Sequence, residues 1–285
     1  MHCVVGLFIF AVMQFLKQLF DFYIQASIHV SVSVLCLVLM TNHMFSQPFD
    51  VPMAGFAFFG TLFGYNFIKY EAFFREKLPY RKTLTPTLIL SLTAVLASIY
   101  FFFQLEIKTQ VAAIVFFGLT FLYTVPVFST TKNMRNWSGI KIYIVAFCWA
   151  GVTTLLPMMN FGIELYHDIF IKFCQRFLFV IVLILIFEII DLKDDDPNLF
   201  TVPQKIGIKK TKYLGYLLLI PFYFLEFLKT AVNDIQLIVN VILVLVTAGF
   251  LFFANENRSR YYTTFWAESI PIFWLVLLIG FQLLF

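Results

Sequence analysis

Residues 188–207 read EIIDLKDDDPNLFTVPQKIG, four aspartates and a glutamate at the end of a long apolar run. Carboxylates crowded at a membrane boundary are expensive, which points to a use for them, most simply capture of a hard divalent cation such as Mg2+. If the preceding helix continues by one turn, Glu188, Asp191 and Asp195 recur at spacings of three and four and share one face, with Asp194 between them. Acidic residues at a helix C-terminus oppose the macrodipole, so they are poorly explained as stabilisers. The simpler alternative is a solvated helix end stopped by Pro197.

Outward from this stretch, the chain reads as an all-α, multi-pass membrane protein. Of its 285 residues 61% are hydrophobic, 13% are charged and 39 are phenylalanine. Its mean hydropathy is +0.89; soluble domains carry charge on about a quarter of their residues. A membrane-crossing helix takes about 20 apolar residues. Nine such runs are expected, near 26–45, 51–68, 87–104, 109–128, 139–159, 170–190, 213–230, 235–254 and 265–285. They are continuous, whereas the strands of a membrane barrel alternate in and out. Residues 26–285 therefore read as one transmembrane domain with no room for a soluble one. Residues 1–25 read as an N-terminal helix lying at the interface, since Lys17, Gln18 and Asp21 interrupt its apolar run, and Met13 is an alternative start. Cys3, Cys36, Cys148 and Cys174 sit apart in apolar runs, as small hydrophobes do. Nucleic-acid binding has no support.

Basic residues set the expected orientation. The joints after the second, fourth, sixth and eighth runs hold Lys69, Arg75, Lys77, Arg81, Lys82, Lys132, Arg135, Lys141, Lys193, Lys205, Lys209, Lys210, Lys212, Arg258 and Arg260. The opposite joints hold Lys108, Lys172, Arg176 and Lys229. The positive-inside rule makes the first group, and the acidic cluster with it, cytoplasmic. Asn66 closes the second run and Asp191 the sixth, so the chain divides into two four-helix halves and a ninth helix, with both motif-bearing ends facing one cavity.

The run from Glu188 through Asp191 to Asp195, followed by Thr201-Val-Pro203 and Gly207, resembles the second aspartate-rich motif of the UbiA superfamily of membrane prenyltransferases. Tyr123-Thr-Val-Pro126 leading to Lys132 is similar to that family's Tyr-and-Lys segment after the fourth helix, and residues 149–157 look like its fifth helix. The resemblance covers residues 26–285. It implies a nine-helix bundle in which Mg2+ on two aspartate motifs holds a prenyl diphosphate, diphosphate leaves, and the allylic cation alkylates an aromatic or lipid acceptor. On this chain it implies metal ligation by Asp191 and Asp195, diphosphate contact by Asn66 and Lys132, and catalytic roles for Lys132 and Tyr123, while the spacing adds Asp194 and Glu188 as metal candidates and the loop adds Lys69 and Arg75 as diphosphate candidates. The chain departs from the first motif: Asn66 matches, but Phe67, Tyr70 and Phe74 stand where the family has acidic residues. Lys69, Arg75 and Lys77 are candidates to neutralise phosphate directly, although basic residues in a cytoplasmic joint need no substrate to explain them.

The aromatic fifth of the chain suits an isoprenoid channel and also any lipid-facing surface. His29 reads as a packed or interfacial residue, and Glu226 and Glu268 as facing the bundle interior or an interface. The loss of the first motif favours, as an alternative, a relative that binds an isoprenoid or quinone without turnover. A transporter is a further rival, but Pro126, Pro157, Pro221 and Pro271 do not break helices at matching places in the two halves.

Overall fold

In the computed structural model, residues 2–75, 84–124, 139–196 and 199–284 are described. They form α-helices joined by short turns, with no strand among the described residues, and the helices follow the apolar runs. α1 (His2–Gln25) and α2 (Ile28–Met44) meet at a bend of 57°. α3 (Val51–Arg75) and α4 (Thr85–Phe102) form the most extensively packed neighbouring pair, followed by α5 (Ile107–Thr124). α6 (Ile140–Ala150) passes through a π-turn, Gly151–Leu155, into α7 (Leu156–Asn160). Then come α8 (His167–Asp191), α9 (Val202–Phe224), α10 (Asp234–Phe253) and, after a second π-turn at Tyr262–Ala267, α11 (Ile270–Leu284).

Among the described residues seven helices are long and apolar enough to cross a membrane, and the bent α1–α2 pair makes an eighth. Each of the nine expected runs falls on a helix. α5 is the short one, with an apolar stretch of Ile107–Leu122.

Local chemistry starts these helices where the sequence allows. The Asp50 carboxylate accepts the Met53 amide at 3.1 Å at the head of α3, and the Asn233 side chain accepts the Gln236 amide at 3.0 Å at the head of α10. Pro86 and Pro203 sit in the first turns of α4 and α9, where no amide hydrogen is needed.

α8 is the central element. Its Phe179, Val182, Leu185 and Ile189 are wholly buried in a core that takes in Phe222 of α9, Leu243 of α10 and Trp274 of α11. A smaller core joins α2, α3, α5 and α6 around Val38, Met53 and Phe116. Gly151 lets these helices meet, because a Cβ there would lie 2.0 Å from the Phe116 ring. The outer surface is apolar instead of charged: Leu92, Leu96, Ile114, Phe117, Leu245 and Val276 are exposed at mid-helix, as lipid contact requires.

Candidate functional site

The acidic cluster lies at the exit of α8. The helix ends at Asp191, and the amides of Asp194 and Asp195 both donate to the Asp191 carbonyl, at 2.8 and 2.9 Å, so one more turn follows. That turn keeps Asp191 and Asp195 one helical turn apart, and both are half-buried. Asp194 points outward and pairs with Arg260 at 3.0 Å. Lys193 hydrogen-bonds Asn257 of the same neighbouring loop. Glu188 is deeper; its Oε2 accepts the Val202 amide at 3.0 Å and so anchors the start of α9. The Thr201 amide donates to the Gln204 side chain at 2.9 Å, and five residues into α9 the backbone breaks at Gly207, with φ +80° and ψ 156°. Only glycine adopts that conformation readily, which gives the Thr-x-Pro…Gly pattern its physical content.

Across the same end of the bundle stands the C-terminal half of α3. Asn66 is buried and its amide is committed. Oδ1 accepts the Ser27 hydroxyl at 2.9 Å, and Nδ2 donates to the Ala26 carbonyl at 3.1 Å and to Ser91 at 3.0 Å. Lys69 donates to the Gln25 carbonyl at 2.8 Å. Together they hold the break between α1 and α2, where Ser27 takes φ 60°, a left-handed conformation uncommon outside glycine. Phe67 and Tyr70 are half-buried in this part of α3.

The loop between α10 and α11 links the two sides. Arg260, bonded to Asp194, lies within electrostatic range of Lys69. Tyr261 hydrogen-bonds Asp21 of α1, and Phe20 packs on Phe265 with ring centroids 5.1 Å apart. Sequence reasoning missed Arg260, because a basic residue in a joint looks like a topology signal until its partners are known.

Of the other expected site residues, Lys132 lies outside the described residues. Tyr123 is in the last turn of α5 and Arg75 in that of α3, and their side chains also lie outside them.

His29 is buried in a defined setting. Its Nε2 lies 2.9 Å from the Phe265 carbonyl and 3.0 Å from Ser269 Oγ, and its Nδ1 lies 2.9 Å from the Tyr23 hydroxyl. A carbonyl only accepts, so in the neutral ring Nε2 carries the hydrogen and Nδ1 accepts from Tyr23.

At the opposite end of the bundle a second polar cluster corrects one reading of the sequence. Lys172 and Arg176 are not joint charges but are wholly buried on α8. The Glu226 carboxylate takes Lys172 at 3.3 Å, Gln175 at 3.0 Å and Asn240 at 3.1 Å, and Lys229 closes on its other oxygen. Arg176 donates to the Leu37 carbonyl at 3.1 Å and to Thr153 at 3.2 Å, and its guanidinium lies 5.2 Å from the Trp274 ring. Glu226 thus faces the interior, as expected.

Among the described residues no three His, Cys, Asp or Glu side chains converge on one point. The donors at the exit of α8 nevertheless suit Mg2+, which is commonly held by one or two carboxylates while waters and substrate phosphates complete its shell.

No family model matches the chain, and no curated protein matches it by sequence. Solved structures do match by shape. A UbiA homologue from Aeropyrum pernix K1 aligns with a TM-score of 0.65 at 10% identity, over 90% of this chain and 98% of that one. A UbiA homologue from Archaeoglobus fulgidus bound to Cd2+ gives 0.61 at 12%, over 90% and 98%. A digeranylgeranylglyceryl phosphate synthase gives 0.56 at 16%, over 94% and 98%. The architecture of α-helices described above is therefore the UbiA fold, present along nearly the whole chain.

Proposed function

We propose that this protein is a membrane prenyltransferase of the UbiA type, transferring an isoprenoid from a prenyl diphosphate to a hydrophobic acceptor. The observation that carries the reading is the half-buried Asp191 and Asp195, one turn apart at the exit of α8, in a chain whose fold matches UbiA homologues over nine-tenths of its length. The related structure bound to Cd2+ supports a divalent-cation site, and the synthase among the matches supports a prenylated product.

In this reading Asp191 and Asp195 would hold Mg2+, with Asp194, whose side chain here pairs with Arg260, as a further candidate. Glu188 keeps the loop in place by holding the Val202 amide. Bound Mg2+ would supply charge neutralisation to the departing diphosphate. Lys69 retains two hydrogens beyond its bond to Gln25, and with Arg260, Arg75 and Lys132 it provides direct donors where the first motif has lost its acids. Lys132 and Tyr123 keep the catalytic roles the resemblance implies. The acidic face is assigned to the cytoplasm on the balance of basic residues.

One observation favours a second reading, binding of an isoprenoid or quinone without turnover. The Asn66 amide, the surviving element of the first motif, is already used three times to hold the α1–α2 break.

Purified protein with Mg2+ and labelled prenyl diphosphates of several lengths separates the two. Released diphosphate is expected, and Asp191→Asn with Asp195→Asn should abolish its Mg2+ dependence while the protein stays folded in detergent. Saturable isoprenoid binding without release would select the non-catalytic reading, and Mg2+ dependence unchanged in the double variant would make the cluster a solvated loop.

A further inference from the structure

Several carboxylates among the described residues that lie in or beside the membrane helices are engaged. Glu226 takes four donors, Asp50 takes Asn160 at 2.6 Å and the Met53 amide, Asp168 takes Thr230, Asp194 takes Arg260 and Glu188 takes the Val202 amide. Glu268 differs from these, inside the apolar stretch Tyr262–Leu284. It sits in the transmembrane domain at the end of the Tyr262–Ala267 π-turn, half-buried, and no hydrogen bond or ion pair among the described residues reaches its carboxylate. Its backbone, by contrast, is fixed. The carbonyl accepts the Ser33 hydroxyl of α2, and the amide donates to Thr263 at 3.0 Å.

A carboxylate kept in an apolar domain without a partner carries a solvation cost that a structural role does not repay. π-turns re-aim side chains and are frequent at functional sites. The surroundings of Glu268 are those of the candidate site. Lys69 of α3 and Tyr23 of α1 lie within its electrostatic range, and the Tyr23 hydroxyl is held by His29 Nδ1. Arg260 lies within the same range of Lys69. Glu268 thus stands at the end of the bundle that carries the acidic cluster, between the π-turn and α11, across from the part of α3 where the first motif is degenerate.

We propose that Glu268 is the general base that deprotonates the acceptor. The inference rests on the prenyl-transfer reading. In the step, a bond forms between the acceptor's nucleophilic atom and C1 of the prenyl group. The C1–O bond breaks, and its electron pair leaves with the diphosphate. The acceptor's proton passes to a Glu268 oxygen and afterwards to water. The carboxylate needs unoccupied lone pairs for this, and among the described residues no donor occupies those of Glu268.

Loss of a general base lowers the transfer step by about a hundredfold to ten-thousandfold. It leaves donor binding and ionisation in place, because those depend on the opposite wall. The test uses full-length protein, Mg2+ and geranylgeranyl diphosphate, offered with 4-hydroxybenzoate, 1,4-dihydroxy-2-naphthoate and geranylgeranylglyceryl phosphate as acceptors. Donor binding, diphosphate release without acceptor and transfer to each acceptor are measured separately. Glu268→Gln should bind the donor within about threefold of wild type and still release diphosphate, with transfer down at least about a hundredfold, and Glu268→Asp should recover part of the transfer. Transfer by Glu268→Gln at the wild-type rate would overturn the base assignment while leaving the prenyl-transfer reading intact. Equal loss of binding and transfer in Glu268→Gln would also overturn it, making the residue part of the donor site. Failure of the wild type to release diphosphate or to transfer would overturn the prenyl-transfer reading and this inference together.

Discussion

Glu226 shows what one residue does in a bundle whose solvent is lipid. Its two oxygens receive Lys172, Lys229, Gln175 and Asn240, and together these bind α8, the turn after α9 and the head of α10. Glu226→Gln keeps the shape and removes the charge, leaving two lysines without their counter-ion. Breaking a buried pair in this way costs about 3–5 kcal/mol. A markedly lower melting temperature in detergent is expected, and Glu226→Met combined with Lys172→Met should recover part of the loss, because one of the two stranded charges is gone and Lys229 keeps its bond to Gln236. An unchanged melting temperature in Glu226→Gln would show that the cluster does not hold these helices. The sequence signalled that Glu226 faces inward, since an acid inside an apolar run has few alternatives. It could not signal the partners, which lie 54 residues away at Lys172 and 51 at Gln175. Asn66 teaches the same point. Its place in a motif was legible, but its bonds to Ser27 and Ser91 join helices whose packing no local pattern encodes.

At the scale of elements, apolar run length located each helix but not the breaks within them. The π-turns at 151–155 and 262–267 carry no periodicity signal, yet they place Thr153 against Arg176 and Glu268 beside the α1–α2 junction. The break in α9 did have a signal, Gly207, read as part of a motif and now seen as a backbone requirement. A Cβ at Gly207 would meet nothing within 4 Å, so substitution there costs conformation and not packing. Gly207→Ala should destabilise by about 1–3 kcal/mol, the range for a residue forced into a sparsely populated region. It should also disturb Mg2+-dependent diphosphate binding, because the short helix before the break holds Glu188 through Val202. Gly249→Ala is the control. It lies inside α10 with open space at its Cβ and an ordinary helical backbone, so it should be neutral or slightly stabilising. Equal effects of the two substitutions on melting temperature would remove the argument from φ.

For the whole molecule, the two ends of the bundle differ in charge, and burial sharpens the difference. Lys172 and Arg176 are interior, and Lys229 is occupied by Glu226 and Gln236, so Lys108 is the remaining basic residue of the joints opposite the acidic cluster. The acidic end keeps Lys193, Lys205, Lys209, Lys210, Lys212, Arg258 and Arg260 among its described residues. The positive-inside rule predicts that end to be cytoplasmic. Single cysteines placed at Asp196 and Asn257, both exposed on the acidic end, should resist an impermeant maleimide added to intact cells and react after permeabilisation. Cysteines at Glu106 and Glu164, exposed on the opposite end, should react before it. The outcome bears on chemistry as well as topology. A prenyl diphosphate carries about three charges and crosses a bilayer poorly, since each buried charge costs several kcal/mol. A site drawing its donor from the cytosol must therefore open there. Labelling of Asp196→Cys and Asn257→Cys from outside would place Asp191, Asp195, Lys69 and Glu268 on the wrong side of the membrane for such a donor. It would favour a neutral isoprenoid or quinone, delivered through the bilayer, as the ligand of this fold.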